Sequence, residues 1–403
     1  MAAHDDRRAY LDYNATAPLR PQARAATLAA LDRLGNPSSI HAEGRAARAV
    51  VEEGRRAVAE LVGVPARCVV FTSGGTEAAN LALTPAIAAP GRRPPERLIV
   101  SAGEHPCVLN GHRFPPEAVA VAPLKGDGRI DLDALAALIA AAPGRPPMLA
   151  LQGANNETGV VHPVAEAAEM VREAGGATVC DGVQLAGRAS VALAELGADF
   201  LLLSAHKCGG PKGAGALVAA DPDLAVGAPL LRGGSQERGA RAGTENVAAI
   251  AGFGVAARVA EAERAQESAR LAALRDALAA EARRVAPDAV VFGETAPRLC
   301  NTLCFAVPGV AAATLVIALD LAGVAVSAGS ACSSGKVTRS HVLDAMGVAP
   351  DLAAGAIRLS LGWASSEDHI ARFGEAFGAA MARLRTRRGA ALGAASVRPP
   401  ISA

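Results

Sequence analysis

Lysine is scarce in this chain: among 40 basic residues only Lys125, Lys207, Lys212 and Lys336 are lysine. A guanidinium does not give up its proton to act as an amine nucleophile, so lysine is kept by chance or where arginine cannot substitute. Lys207 and Lys212 share one short segment, SAHKCGGPKGAG. Excess charge is also missing, with a formal net of +1, so bulk electrostatics point to neither nucleic acid nor an anionic membrane. No apolar run reaches the roughly 20 residues that span a bilayer. The first residues, MAAHDDRRAY, lack the apolar stretch of a secretory signal, and the expectation is a chain that stays in the cytoplasm. Among the seven cysteines there is no CxxC pair and no regular spacing, which argues against a zinc ribbon or a disulfide framework. Most lie in apolar runs and read as small core residues. A GxxxxGK[ST] loop is absent too, which disfavours a nucleotide-binding protein.

What is present has a regular order. The 403 residues allow two or three domains at roughly 150 residues each. Apolar runs of strand length occur at 68–72, 97–101, 147–152, 177–181, 199–204 and 215–219. Helical patterns such as DLDALAALIAAA and HPVAEAAEMVREAG separate them. Such alternation predicts βαβ units around a largely parallel sheet, and continuous rather than alternating hydrophobicity suits strands covered on both faces. An amphipathic helix is expected at 43–62 and a long Ala/Arg/Glu-rich helix at 244–284, bridging to a second, smaller unit. That unit is expected to hold strands near 289–292, 302–306 and 356–361, with helices near 311–321 and 366–386. From Arg387 onward the small, basic, Pro-containing tail is expected to be unstructured.

Three polar clusters sit at the carboxyl ends of the predicted strands, where open α/β sheets bind ligands. Thr72-Ser-Gly-Gly-Thr76-Glu77 leads from a strand into a helix, the setting for an anion held by free N–H groups, although taken alone it also reads as a glycine turn. Asp181 ends ATVCD; it fits a helix cap or a carboxylate that keeps a pyridine nitrogen protonated. Lys207 follows DFLLLSAH and is either a surface lysine or an amine made reactive by desolvation. Together the three form a kit: phosphate cradle, pyridinium partner and Schiff-base amine. Far along the chain, Cys332 lies among small residues in SAGSACSSGKVTRS, and reads either as an ordinary free cysteine in a loop or as a thiolate that the loop can swing between a cofactor and an outside acceptor.

The wording of these segments resembles the cysteine desulfurases of the NifS/IscS type, within the class-V aminotransferase-like, fold-type-I pyridoxal-phosphate enzymes. The likeness runs through YLDYNATAPL, GNPSSIHAEGR, FTSGGTEAAN, EHPCVL, NNETGV, DGVQLAGR, SAHKCGGPKGAGAL, GGSQERGARAGTENV, SAGSACSSG and IRLSLG, roughly residues 10 to 380. It implies an α/β protein: a large, mainly parallel-sheet cofactor domain (16–262) and a smaller α+β domain (1–15 and 263–386) that carries the catalytic-cysteine loop, with 387–403 as an unstructured tail. It implies pyridoxal 5′-phosphate held covalently by Lys207, with Asp181 on the pyridine nitrogen, Gln184 on the phenolic oxygen and His105 stacked on the ring to move protons. The phosphate would be held by Gly75, Thr76, Ser204 and His206, with Thr244 from the other subunit of a homodimer. Arg358, with Asn156 or its neighbour Asn155, would take the carboxylate of L-cysteine, a task suited to a planar guanidinium. Cys332 would carry the sulfur as a persulfide to an acceptor protein or thiol, for iron–sulfur cluster or thio-cofactor assembly. Selenocysteine lyase, another class-V enzyme such as a transaminase, and a non-catalytic scaffold of the same fold are the competing readings; Cys332 and its loop argue against a transaminase. Two departures stand out: Ala17 replaces a threonine usual in the first motif, and the ending RGAALGAASVRPPISA differs from the scaffold-docking tail of housekeeping members.

Overall fold

A computed structural model of the chain describes residues 8–88, 91, 93–223, 225–328 and 339–395. Its larger sheet has seven strands: β1 (Val69–Thr72), β2 (Arg97–Ser101), β3 (Val119–Ala122), β4 (Pro147–Gln152), β5 (Ala177–Asp181), β6 (Phe200–Ser204) and β7 (Gly215–Ala219). Their spatial order is β1-β7-β6-β5-β4-β2-β3, and only β7 runs against its neighbours. β2, β4, β6 and β7 are buried along their whole length, as the unbroken apolar runs require. Two predicted ends shift for local reasons. Cys68 closes a 3-10 turn rather than opening β1, and the Asp199 carboxylate leaves the strand to accept the Thr178 N–H at 2.8 Å. The edge strand β3 was not expected; its residues are mostly half-buried, with Val121 56% exposed, so it lacks the apolar run that marked the others.

A second, antiparallel sheet runs β8-β9-β11-β10, from β8 (Val290–Val291), β9 (Thr302–Ala306), β10 (Ser327–Ala328) and β11 (Ile357–Ser360). The helices that matter for the site are α1 (Pro21–Leu31), α2 (Ala42–Val62), α3 (Gly75–Ala82), α4 (Val247–Val285), α5 (Ala312–Leu321) and α6 (Glu367–Ala395). α6 continues to Ala395, past Arg387 where an unstructured tail was expected. α4 starts where the Asn246 side chain accepts the Ala249 N–H at 3.1 Å. Its first half buries Ile250, Phe253 and Ala257 in the core of the large sheet; its second half buries Leu271, Leu274 and Leu278 in the core of the small one. Each such leucine is worth about 1.5–3 kcal/mol of apolar burial, so one helix ties the two sheets together. Against α2 the approach is close: a Cβ on Gly254 would come within 2.7 Å of the Gly54 Cα.

The start of the chain crosses the junction between the sheets. Ala9–Tyr10 pairs in parallel with Val324–Ala325, and Asn14 donates to Ser360 Oγ of β11 and to Thr302 Oγ1 of β9, each at 2.9 Å. The next residues turn toward the large sheet, where the Ala17 N–H donates to His206 O at 2.8 Å.

Candidate active site

The carboxyl ends of β1, β4, β5 and β6, together with the turn after β2, converge on one cavity of about 360 Å³, within the range of small-molecule pockets. Gln152 ends β4, Asp181 ends β5 and Ser204 ends β6, and each lines the cavity because its strand stops there, whereas β1 ends at Thr72, just before Gly75 and Thr76, which do. Gly75, Thr76, His105, Asn156, Asp181, Gln184, Ser204, His206, Lys207 and Arg358 all line it. Thr244, expected at the other subunit's phosphate, is exposed and off the cavity wall of its own chain, and Cys332 lies outside the described residues.

At one end of the cavity α3 begins. Its first-turn N–H groups have no carbonyl within the helix to bond, and Ser204 and His206 stand beside them. His206 Nδ1 is 3.1 Å from Thr16 Oγ1, which fixes its ring. Gly75 leaves room here: a Cβ on it would meet Val183 Cγ2 at 3.0 Å. In the middle, the Asp181 Oδ1 accepts the Val183 N–H at 2.9 Å. Burial pushes the Asp181 carboxyl up, and the Lys207 ammonium pulls it back; a cation lodged against it would restore the carboxylate.

Lys207 donates from Nζ to Asn14 O at 2.6 Å and Ala15 O at 2.9 Å. Burial, then the Arg358 and Arg188 guanidiniums, lower its ammonium from 10.5 to about 8. Arg188 is itself buried and donates to the Lys207 carbonyl at 3.2 Å and to Gln184 Oε1 at 2.8 Å. Gln184 in turn donates from Nε2 to Asn14 O at 3.1 Å. His105 stands on the exposed rim and accepts the Cys107 N–H at Nδ1, 3.1 Å away. Surrounding protein, the Lys207 charge and His341 press its imidazolium below the ordinary histidine range. Behind it Glu104 is fully buried, and burial drives its carboxyl well above the usual range.

Arg358 closes the far end from β11 of the small sheet. Its Nη2 meets Asp12 Oδ1 at 2.7 Å, its Nη1 donates to Asn156 O at 3.0 Å, and its Nε is buried without a partner among the described residues. The two asparagines divide their tasks. Asn156 lines the cavity, whereas the Asn155 carboxamide is buried and accepts the N–H groups of Glu157 and Thr158 at 2.9 Å, folding the turn. Asn14, Ala15, Cys107 and Gln152 also line the pocket and were not anticipated. Asn14 and Cys107 stand inside the quoted segments YLDYNATAPL and EHPCVL, but no spacing singles them out.

A lysine with a depressed ammonium, a carboxyl at the mouth of a buried strand and an anion cradle at the strand ends of an α/β sheet define an amine-chemistry enzyme. The comparisons with known proteins agree. The family model "Aminotransferase class-V" matches residues 9–373. A cysteine desulfurase of Cereibacter sphaeroides is 43% identical over 364 residues, 88% of this chain and 90% of that one. An X-ray structure of a NifS-like protein from Rickettsia africae superposes with a TM-score of 0.84 at 31% identity, over 93% of this chain and 99% of that chain. A structure titled "SspA in complex with cysteine" gives a TM-score of 0.73 at 27% identity, over 87% and 98% of the two chains. This chain belongs to the class-V aminotransferase family and, within it, to the cysteine desulfurases.

Proposed function

We propose that the cavity takes pyridoxal 5′-phosphate on Lys207, and that sulfur from L-cysteine is collected on Cys332 as a persulfide and handed to an acceptor. The observation that carries this reading is the Lys207 amine, its ammonium lowered to about 8, in one cavity with Asp181, the α3 cradle and Arg358. The residues suit the group. The first turn of α3, Ser204 and His206 would hold its phosphate, Asp181 its ring nitrogen and Gln184 its phenolic oxygen. Arg358 and Asn156 would hold the substrate carboxylate, Arg358 offering an Nε that has no partner among the described residues. Bound there, the cofactor supplies an aldehyde that condenses with amines and a ring that absorbs charge from the substrate α-carbon.

The chain's own groups do the rest. Arg358 orients the substrate, and His105, low in pKa and so neutral at pH 7, is ready to accept a proton. The Cys332 thiolate attacks the substrate sulfur: an S–S bond forms as the Cβ–S bond breaks, and the carbon skeleton gains a proton to leave as alanine. The six cysteines among the described residues all have thiols pushed up, chiefly by burial, which leaves them poor nucleophiles. The relative bound to cysteine supports this substrate.

On this reading 16–262 is the cofactor domain, while 1–15 and 263–386 form the smaller domain. The working form is a homodimer with Thr244 reaching the partner's phosphate site, and the protein is cytoplasmic. Among the described residues no helix is long and apolar enough to cross a membrane. Iron–sulfur or thio-cofactor assembly is the destination of the sulfur.

Borohydride reduction followed by peptide mass spectrometry tests the first half; the adduct should sit on Lys207, and one on Lys212 would sink it. Cysteine treatment tests the second, adding one sulfur to the Cys332 peptide. Cys332→Ser should still bind cofactor and cysteine yet make no alanine; alanine at the wild-type rate would refute the persulfide step.

A further inference from the structure

The cradle at Thr72–Thr76 is gripped from outside the pocket by a stretch of strained backbone. Glu237 and Arg238 have φ values of 48° and 56°, the left-handed region that side chains other than glycine seldom enter. Such geometry persists only where the surroundings over-determine it. Here they do. The Glu237 carboxylate is buried and receives Arg55 Nη1 and Nη2 at 2.6 and 2.8 Å and the Phe71 N–H at 3.0 Å. Arg238 Nη2 donates to Val69 O at 3.2 Å. Both anchors therefore grip β1, the strand that ends in the cradle. Further along the same segment, Arg241 Nε donates to Glu77 Oε1 at 3.0 Å, and Glu77 Oε2 receives the Ser73 N–H at 2.7 Å. The segment thus holds both the strand before the cradle and the helix after it.

Glu77 poses an electrostatic problem at this place. An acidic residue in the first turn suits the dipole of α3, but it sets a carboxylate beside the donors that would receive a phosphate dianion. Burial pushes the Glu77 carboxyl up, yet Arg241 and the Ser73 N–H outweigh it and hold the group ionised, below its ordinary range. With side-chain exposures of 22% for Arg241 and 14% for Glu77, water screens the pair only in part.

We propose that Arg241, anchored through Glu237, is a positioning residue for the anion cradle: it neutralises Glu77 so that Thr72–Thr76 can receive a phosphate dianion. This rests on the reading that the cavity takes pyridoxal 5′-phosphate.

The test compares pyridoxal 5′-phosphate with pyridoxal, which lacks the phosphate, in titrations of the full-length protein stripped of cofactor. Arg241→Ala should weaken binding of the phosphorylated aldehyde about tenfold, as expected for loss of one charge-assisted contact, and leave pyridoxal within about twofold. Arg241→Lys should retain most of the preference. Adding Glu77→Gln to Arg241→Ala should recover most of the loss, since the uncompensated carboxylate goes with it. Glu77→Gln alone should keep or raise the preference, and this variant carries the test if Arg241→Ala does not fold. Equal loss for both aldehydes in Arg241→Ala, an undiminished preference there, or a reduced preference in Glu77→Gln would each overturn the proposal. The cofactor reading fails separately, by a wild type that forms no borohydride-stable adduct at Lys207 with either aldehyde.

Discussion

The Lys207 amine should titrate near pH 8 in the protein stripped of cofactor, because burial and two guanidiniums, Arg358 and Arg188, oppose its charge. At pH 7 roughly a tenth of it would then be neutral, against about three in ten thousand for a lysine at its usual value, a gain of roughly 300-fold in free amine. Trace acetylation at a series of pH values, read peptide by peptide, gives the midpoint directly; exposed Lys212 reports on the reagent within the same sample. Arg358→Gln removes the larger of the two opposing cations and frees the Asp12 carboxylate, which favours the ammonium, so the midpoint should climb toward 10.5. The stability of the stripped protein carries the same signature. Between pH 8 and 10.5 the unfolded chain binds more protons at this site than the native one, so stability should rise through that window; below it the cost of burying the charge is present in full. A wild-type midpoint above 10, or one that falls or stays fixed in Arg358→Gln, would refute the account of how this lysine is made reactive.

Asp181→Asn should keep cofactor on Lys207 but cut turnover on the order of 10²-fold or more, since a neutral amide cannot hold a pyridine nitrogen protonated; near-normal steady-state alanine release would contradict the role. Phe305→Ala, at a fully buried ring packed edge-on against Phe377 at 5.6 Å, should cost about 3–5 kcal/mol in denaturant unfolding of the small-sheet core. A loss under about 1 kcal/mol there would mean that this core is loosely packed.

The large sheet was legible because its inner strands are buried on both faces, and their apolar runs have no other use. Where burial is partial the signal fades: β3 has Val121 facing water, and its residues VAVA do not differ from a helical stretch of this alanine-rich chain. The chemistry was legible for a related reason. A polar residue that directly ends an apolar run lies at a strand mouth; Asp181 and Ser204 meet that rule, and Lys207 follows three residues past Ser204. Arg358 does not, because it enters from another sheet, and resemblance rather than spacing pointed to it. Asn14 is harder still. It acts on Lys207 and Gln184 through its backbone carbonyl, while its side chain donates to Asn156 O at 3.1 Å and Thr302 Oγ1 at 2.9 Å. A carbonyl is common to every residue, so no side-chain pattern can report it. The same holds for Glu237 and Arg238, whose left-handed backbone runs against their own preference and is imposed by Arg55, Phe71 and Val69, all more than 160 residues away in the chain. Residues that touch a ligand with distinctive chemistry leave a mark in the local sequence. Those that set the geometry of such residues are chosen by partners elsewhere in the chain, and only the fold brings those partners into view.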